Sequence, residues 1–125
     1  MSSKRKKSIS IKTKTPIVSV SVFEQVYQLV LQIPVARVMT YRQISLLLDE
    51  RLSAAGVGWA MRATPKDSRQ IPWHRVINSR GGTSTDKLLN FAPNIQRHLL
   101  EAEGLVFNEQ GFIDLKTYQW HLEAN

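Results

Sequence analysis

Residues 71–78, Ile-Pro-Trp-His-Arg-Val-Ile-Asn, hold the densest group of side chains that could do chemistry. His74 can transfer protons, and Arg75 offers several N–H donors in a planar fork. Trp73 offers a flat apolar face and one N–H donor, but no lone pair that could attack an electrophile at neutral pH. The indole face suits packing against a base or an alkyl group. The segment therefore predicts recognition rather than covalent catalysis.

The chain of 125 residues contains no cysteine, which excludes disulfides, cysteine-ligated metal sites and thiolate nucleophiles. Hydrolysis through His74 would need a positioned nucleophile, and no motif for one is visible. We therefore expect a binding protein without a catalytic residue, a metal or a cofactor.

Charge is distributed unevenly along the chain. The net charge of +7 suggests a polyanionic partner, but residues 1–14 hold six of the 17 basic residues and no acidic one. The remaining chain has 11 basic against 10 acidic residues and is almost neutral. We predict a flexible basic arm over residues 1–16 and one folded domain over residues 17–125, in keeping with 42% hydrophobic residues.

No segment of the sequence has the composition of a membrane span or a signal peptide. The longest apolar stretches, such as residues 26–38, are interrupted well before the roughly 20 residues that a span needs. The basic N-terminus is not followed by a continuous apolar block. We expect no membrane contact and an intracellular location, which means the cytoplasm or nucleoid in a prokaryote and the nucleus in a eukaryote.

Three helices are predicted from capping residues and periodic apolar positions. The first begins after Ser21 and ends at Pro34; the second begins after Thr40 and ends near Asp49. The third begins after Ser53 and has two faces, one with Ala54, Val57 and Met61 and one with Ala55, Trp59 and Arg62. Two short helices separated by a brief polar turn predict a helix-turn-helix.

The C-terminal part is predicted to hold a further helix over residues 94–103. Ile95, Leu99 and Ala102 mark its helical spacing, and Gly104 fits the position after its C-terminus. A small hairpin is predicted around residues 110–111, with a last helical turn near Trp120.

The segment around Trp73 resembles the active-site motif of the O6-alkylguanine-DNA alkyltransferases, which reads proline, cysteine, histidine, arginine, valine. Tryptophan stands here where the reactive cysteine belongs, a replacement typical of the alkyltransferase-like proteins. The resemblance extends over residues 21–104 and includes, in the family's order, Ile33-Pro34, Val38-Met39-Thr40-Tyr41, Val57-Gly58-Trp59-Ala60-Met61-Arg62 and Glu101-Ala102-Glu103-Gly104.

The resemblance implies a mainly α, helix-turn-helix, winged-helix-like domain similar to the C-terminal domain of those transferases, with at most a short β-hairpin. It implies a non-enzymatic monomer that binds O6-alkylguanine in double-stranded DNA. The recognition helix would enter the minor groove, the lesion would be flipped out, and the complex would mark it for nucleotide excision repair proteins. The remaining alternative is a helix-turn-helix transcriptional regulator that reads sequence in the major groove, often as a dimer.

The resemblance also implies roles for individual residues, in three groups. The expected lesion pocket comprises Tyr41, Met61, Trp73, Val76, Arg80 and Ser84. The expected DNA-binding residues are Thr40, Tyr41, Ala55, Gly56, Gly58, Trp59 and Arg62. The expected structural network consists of His74, Arg75, Asn78 and Glu103, because His74 and Glu103 have no cysteine to activate here.

The recognition helix departs from the family pattern at two positions. Ala55 stands where the family has an intercalating arginine, and alanine is too short to fill the space left by an extruded base. Trp59 stands where the family usually has a small residue, and it is either a wedge toward DNA or a cover for the core. We expect weaker and less lesion-selective binding than in relatives with the arginine, unless Arg51, Trp59 or Arg62 compensates.

Overall fold

The computed structural model describes residues 21–122, which fold into six helices and a two-stranded sheet. The predicted basic arm lies outside the described residues. The elements in chain order are α1 (Val22–Leu31), β1 (Met39–Thr40), α2 (Tyr41–Leu47), α3 (Ala54–Arg62), a 3-10 turn (Trp73–Arg75), β2 (Val76–Ile77), α4 (Thr85–Leu88), α5 (Ile95–Ala102) and α6 (Leu115–Tyr118). Within this part of the chain, no helix combines the length and hydropathy needed to span a bilayer.

The first three helices begin at the predicted caps. The hydroxyl groups of Ser21, Thr40 and Ser53 each accept a hydrogen bond from the backbone N–H three residues further on. At α2 the Gln43 side chain also accepts from the N–H of Thr40, which completes a capping box. These bonds satisfy N–H groups that a helix start otherwise leaves unpaired.

A tight polar turn joins α2 to α3. Asp49 and Glu50 adopt left-handed backbone conformations, with φ of 54° and 59°. The Ser45 hydroxyl donates to the Leu52 carbonyl at 2.6 Å, which ties the end of the turn to α2. The two helices pack against each other, and the predicted helix-turn-helix is confirmed.

The main core lies where α1 packs on the helix-turn-helix. Its fully buried side chains include Val26, Val30, Ile44, Val57 and Met61. The hydroxyl of Tyr27 donates to the Ala60 carbonyl at 2.8 Å and joins α1 to α3, and burial raises the pKa of this phenol. A second cluster, formed largely by side chains of the C-terminal segment, contains Val38, Ile77, Leu100, Leu105, Phe107 and Ile113.

The sheet differs from the expected hairpin, because its strands run parallel. Met39 pairs with Val76 and Thr40 with Ile77, and α2 and α3 lie between the strands in sequence. Near the predicted hairpin, the Asn108 N–H donates to the Phe112 carbonyl at 2.9 Å. In the described part of the chain, however, no β-strand flanks this turn. The parallel pair places the start of α2 next to the segment that follows the Trp-His-Arg turn.

Both helical segments predicted for the C-terminal part form, but the apolar residues that mark the first are not its buried face. The helix over residues 94–103 forms, but Ile95 and Leu99 are partly exposed, and its buried face is Gln96 and Leu100. The polar Gln96 can be buried because backbone groups satisfy its amide. The predicted last helical turn is Leu115–Tyr118, just before Trp120, whose N–H donates to the Val38 carbonyl at 2.8 Å.

Candidate nucleic-acid interface

A groove of about 680 Å³ opens between α3 and the segment around α4. It is lined by Tyr41, Ala54, Ala55, Gly58, Trp59, Arg62, Ser84, Lys87, Leu88 and Asn90. The predicted site residues at the groove are Tyr41, Ala55, Gly58, Trp59, Arg62 and Ser84. The volume falls in the range of pockets that hold small organic ligands.

Sequence reasoning missed four residues of this groove. Ala54 was grouped with Val57 and Met61 and apart from the expected DNA-binding residues, but it is exposed and lines the groove. Lys87, Leu88 and Asn90 belong to α4 and the turn that follows it. A single helical turn has no periodic pattern that would reveal it, so the sequence held no signal for these three positions.

The groove is positively charged. Arg62 and Lys87 line it, and among the described residues no carboxylate does so. The nearest acidic side chain in sequence, Asp86, is buried and accepts hydrogen bonds from the N–H groups of Lys87 at 2.7 Å and Gln96 at 3.2 Å. Two cations without an opposing carboxylate suit a phosphate-bearing ligand.

The indole of Trp59 stands at the rim of the groove and is 58% exposed. The guanidinium of Arg62 lies over the ring, 5.3 Å from its centroid. A cation on an aromatic face is attracted by the ring quadrupole and restrains the orientation of both side chains. An indole this exposed does not cover the core, so the structure argues against that one of the two roles left open for Trp59.

The phenol of Tyr41 reaches the groove, and its hydroxyl group already forms a hydrogen bond within the protein. Its hydroxyl hydrogen-bonds to Thr85 Oγ1, and the Thr85 hydroxyl donates its own proton to the Val76 carbonyl at 2.6 Å. Because threonine has a single hydroxyl proton, Tyr41 acts as the donor in this pair. Burial raises the pKa of Tyr41 further above neutrality. The tyrosine therefore presents acceptor lone pairs to a ligand, and donation to a phosphate would require this relay to rearrange.

Four predicted site residues lie in core or capping positions. Met61 and Val76 are fully buried, and Thr40 is the cap of α2. Gly56 lies on the inner side of α3, where a Cβ atom would come within 2.8 Å of Leu52 Cδ2. None of these four residues lines the groove.

Trp73 is half-buried and lies outside the groove. Its ring contacts the ring of Phe91, with centroids 5.0 Å apart and planes inclined by 39°. It lines a second depression of about 660 Å³, together with loop residues such as Pro65 and Gln70. Phe91 is 46% exposed and follows directly after the groove residue Asn90. Sequence reasoning did not identify Phe91, because an aromatic residue in an unassigned loop carries no pattern.

Arg80 and Asn78 shape the loop after β2. The guanidinium of Arg80 lies over the ring of Phe112, 5.3 Å from its centroid, so the structure does not bring it to the groove. The carboxamide of Asn78 accepts the N–H groups of Arg80 and Gly82, both at 3.0 Å. Asn78 therefore closes its own loop and does not contact the other residues expected in the structural network.

The glycine pair in this loop serves two different purposes. Gly81 has a φ of +89°, and a Cβ atom there would come within 2.6 Å of the Ile113 carbonyl oxygen. Gly82, by contrast, does not have a positive φ. A Cβ at Gly82 would instead approach the Phe112 ring at 3.0 Å, so close packing accounts for this glycine.

The other three residues of the expected structural network do meet. Glu103 contacts His74 Nε2 at 2.7 Å and Arg75 at 2.8 Å, and it accepts the N–H of Ala36 at 2.9 Å. Arg75 also donates to the Ile33 carbonyl at 2.9 Å. Burial favours the neutral acid, but the hydrogen bonds from Arg75, Ala36 and His74 outweigh it and lower the pKa of Glu103 to about 2.

Gln96 forms a second polar connection that the sequence did not reveal. Its amide nitrogen donates to the carbonyl groups of His74 at 3.1 Å and Val76 at 2.7 Å. Its amide oxygen accepts the N–H of Thr85 at 2.9 Å. The fully buried Gln96 therefore ties the Trp-His-Arg turn to α4, which forms one side of the groove.

Comparison with known proteins agrees with this architecture. Residues 21–105 match the family described as 6-O-methylguanine DNA methyltransferase, DNA binding domain. The chain is 35% identical over 100 residues to the DNA base-flipping protein of Escherichia coli strain K12, covering 78% of this chain and 73% of that protein. It is 32% identical over 102 residues to alkyltransferase-like protein 1 of Schizosaccharomyces pombe, covering 78% and 93%.

Two solved structures share the fold. The S. pombe ATL protein in complex with DNA superimposes with a TM-score of 0.67 at 33% identity, covering 81% of this chain and 95% of that one. The S. pombe protein bound to damaged DNA containing O6-carboxymethylguanine gives a TM-score of 0.66, covering 80% and 94%. From the matched residues and these relatives, the chain belongs to the 6-O-methylguanine DNA methyltransferase DNA-binding-domain family and is an alkyltransferase-like member of it.

Proposed function

We propose that this protein recognises O6-alkylguanine in double-stranded DNA without removing the alkyl group. In this proposal α2 and α3 dock into the minor groove, and the lesion nucleotide rotates out of the duplex toward the groove between α3 and α4. The relatives described as base-flipping, and the relative bound to damaged DNA, support this assignment by similarity.

The observation that carries the proposal is the composition of the groove. Tyr41 and Ser84 offer hydroxyl groups, Trp59 and Leu88 offer apolar surface, and Lys87 adds positive charge in one continuous cavity. A flipped nucleotide presents hydrogen-bonding edges, a flat π-face and a phosphate, and binding it requires these three kinds of contact.

Trp73 is proposed as the wall that meets the alkyl group. Phe91 covers part of its ring at present, so a substituent that packs on the indole would displace Phe91. Leu88, which lines the groove, packs against the same buried cluster as Trp73. Met61 and Val76 would support this wall from the core, while Arg80 is not required.

The absence of transfer chemistry follows from the residue types. Alkyl transfer from guanine needs a soft nucleophile, and the chain has no cysteine. His74 and Glu103, which could activate such a nucleophile, are bonded to each other and to Arg75. We propose that they hold the turn in place and take no part in a reaction.

Three further features belong to this proposal. The protein would act as a monomer, and the persistent complex would mark the lesion for nucleotide excision repair proteins. The domain over residues 17–125 would supply specificity, and the basic arm over residues 1–16 would add contacts to phosphates that do not depend on sequence.

A binding titration at fixed salt tests the proposal. One duplex is compared with and without a single O6-methylguanine by fluorescence anisotropy, and the protein mass is measured afterwards. We expect tighter binding to the modified duplex and no mass increase. A gain of one methyl group would overturn the non-enzymatic assignment. Equal binding to both duplexes, together with a preference among unmodified sequences, would favour a transcriptional regulator.

A further inference from the structure

The face of α3 that borders the groove combines one very large side chain with several very small ones. Trp59 is 58% exposed, whereas its neighbours at the groove, Ala54, Ala55 and Gly58, extend at most one carbon from the backbone. The indole is therefore the longest apolar group that α3 presents to a ligand. An exposed indole beside a cavity marks an interaction site more strongly than an exposed residue on a convex surface.

The environment of Trp59 differs from that of the other tryptophans. Trp73 and Trp120 are half-buried and pack against the main core cluster. Trp59 instead contacts Arg62, whose guanidinium lies 5.3 Å from the centroid of the indole ring. Because a guanidinium on one face of an indole leaves the opposite face able to stack, the pair can present a flat surface backed by positive charge.

We propose that Trp59 is the wedge that enters the base stack and occupies the space left by the extruded nucleotide. Apolar side chains of other proteins enter between base steps in this way, and an aromatic ring recovers part of the stacking that extrusion removes. When Trp59 supplies the wedge, position 55 needs no large side chain. This accounts for the alanine one helical turn before Trp59. This inference rests on the proposed base extrusion and adds the residue that stabilises it.

The geometry also assigns a role to Arg62. Its guanidinium fixes the indole at the rim and carries a charge that can contact a phosphate beside the entry point. Substitution of Arg62 by lysine keeps the charge but loses the planar stacking. Arg62→Lys is therefore expected to weaken extrusion less than removal of the indole does.

The test uses the full chain and a duplex with O6-methylguanine next to 2-aminopurine, whose fluorescence rises when its stacking is disturbed. Trp59→Ala is compared with Trp59→Phe, which keeps a stacking ring, and with Val106→Ala, which shortens a 70% exposed side chain that does not line the groove. Thermal unfolding checks that each variant is folded, and Trp59 is exposed enough that its removal leaves the fold intact.

We expect Trp59→Ala to weaken binding to the modified duplex by about tenfold or more and to abolish the fluorescence rise. Binding to the unmodified duplex should change by about twofold at most, because phosphate contacts dominate it. Trp59→Phe should retain most of the rise, and Val106→Ala should behave as wild type. In the Trp59→Ala background, Ala55→Arg should restore the rise, since either position can then supply the wedge.

Two outcomes would overturn the inference, and they differ from each other. If the wild type prefers the modified duplex and Trp59→Ala keeps both the preference and the fluorescence rise, Trp59 is not the wedge, although the proposed function stands. If the wild type itself shows neither preference nor rise, base extrusion fails and the wedge fails with it.

Discussion

The Glu103 network and the α3 groove lie in the same domain, but their polar side chains are used in opposite ways. Glu103, His74 and Arg75 bond to one another and to the backbone, and little of their surface is exposed. Arg62 and Lys87 line an open cavity in which no ion pair to either of them is seen among residues 21–122. Polar groups that are bonded internally contribute to stability, whereas those facing a cavity remain available to a ligand.

The motif that resembles the transferase active site and the surface proposed to bind the ligand are therefore separate regions of the molecule. The Trp-His-Arg segment corresponds to the reactive site of the transferases that the chain resembles. Here His74 and Arg75 bond to Glu103 at the end of α5, and Arg75 also bonds to the Ile33 carbonyl after α1. The groove on α3 holds the groups that suit DNA. Substitutions in the network should therefore change stability, and substitutions in the groove should change binding.

Removal of Glu103 should have the largest effect on stability. Glu103→Ala leaves Arg75 and His74 in a largely buried position without their anion, and loss of one partner of a buried pair reduces the free energy of unfolding by about 3–5 kcal/mol. Urea unfolding measures the change. The matched control is Glu101→Ala, which removes a more exposed i,i+4 pair with Arg97 and should cost about 0.5 kcal/mol or less. Similar losses for both variants would contradict a special role for the network.

Acid should weaken the fold through the same carboxylate. The folded pKa of Glu103 is about 2, below the ordinary value of 4.5, so its stabilising contribution is complete above pH 4.5. It is lost as the pH falls from 4.5 through 2, and we expect the loss to reach about 3 kcal/mol. Urea titrations between pH 6 and pH 2 should show this loss in the wild type and a flatter profile in Glu103→Gln. Parallel profiles would mean that another carboxylate dominates.

Gln96→Leu should destabilise the protein by about 2 kcal/mol. The variant keeps an apolar side chain of similar size but leaves the Thr85 N–H without its partner in a buried position. Gln110→Leu, in an exposed turn, serves as the control and should change unfolding by about 0.5 kcal/mol or less. A neutral effect of Gln96→Leu would show that the turn and α4 hold together without this amide.

Lys87→Ala should have the smallest effect on stability and a clear effect on binding. Its side chain lies in the open groove, so the free energy of unfolding should change by about 0.5 kcal/mol or less. The slope of log affinity against log salt should fall by about 1 if the ammonium contacts a phosphate. Lys116→Ala on α6, outside the groove, is the control. An unchanged slope for Lys87→Ala would remove this residue from the interface.

Much of the fold could be predicted because its signals are local. Ser21, Thr40 and Ser53 define helix starts through side-chain bonds that span three residues, so the sequence carries the information directly. The parallel pairing of β1 with β2 has no such signal, since strands of two residues show no periodicity and their partners are far apart in sequence.

The candidate site was only partly predictable, because some of its residues lie in segments without a local sequence pattern. Tyr41, Trp59 and Arg62 were identified from motif and helix spacing, but Lys87 and Phe91 lie in a segment without a pattern. The family resemblance implied a pocket position for Arg80, but its guanidinium lies over the ring of Phe112, a contact that attracts a cation.

The sequence by itself determined the helix-turn-helix, the family and the impossibility of thiolate chemistry, because caps, motif spacing and residue types are properties of the chain. Only the tertiary structure decided that Gln96 is a core residue, that Trp73 lies against Phe91 outside the groove, and that Trp59 stands at its rim. Burial depends on which distant segments cover a side chain, and a local pattern cannot specify that.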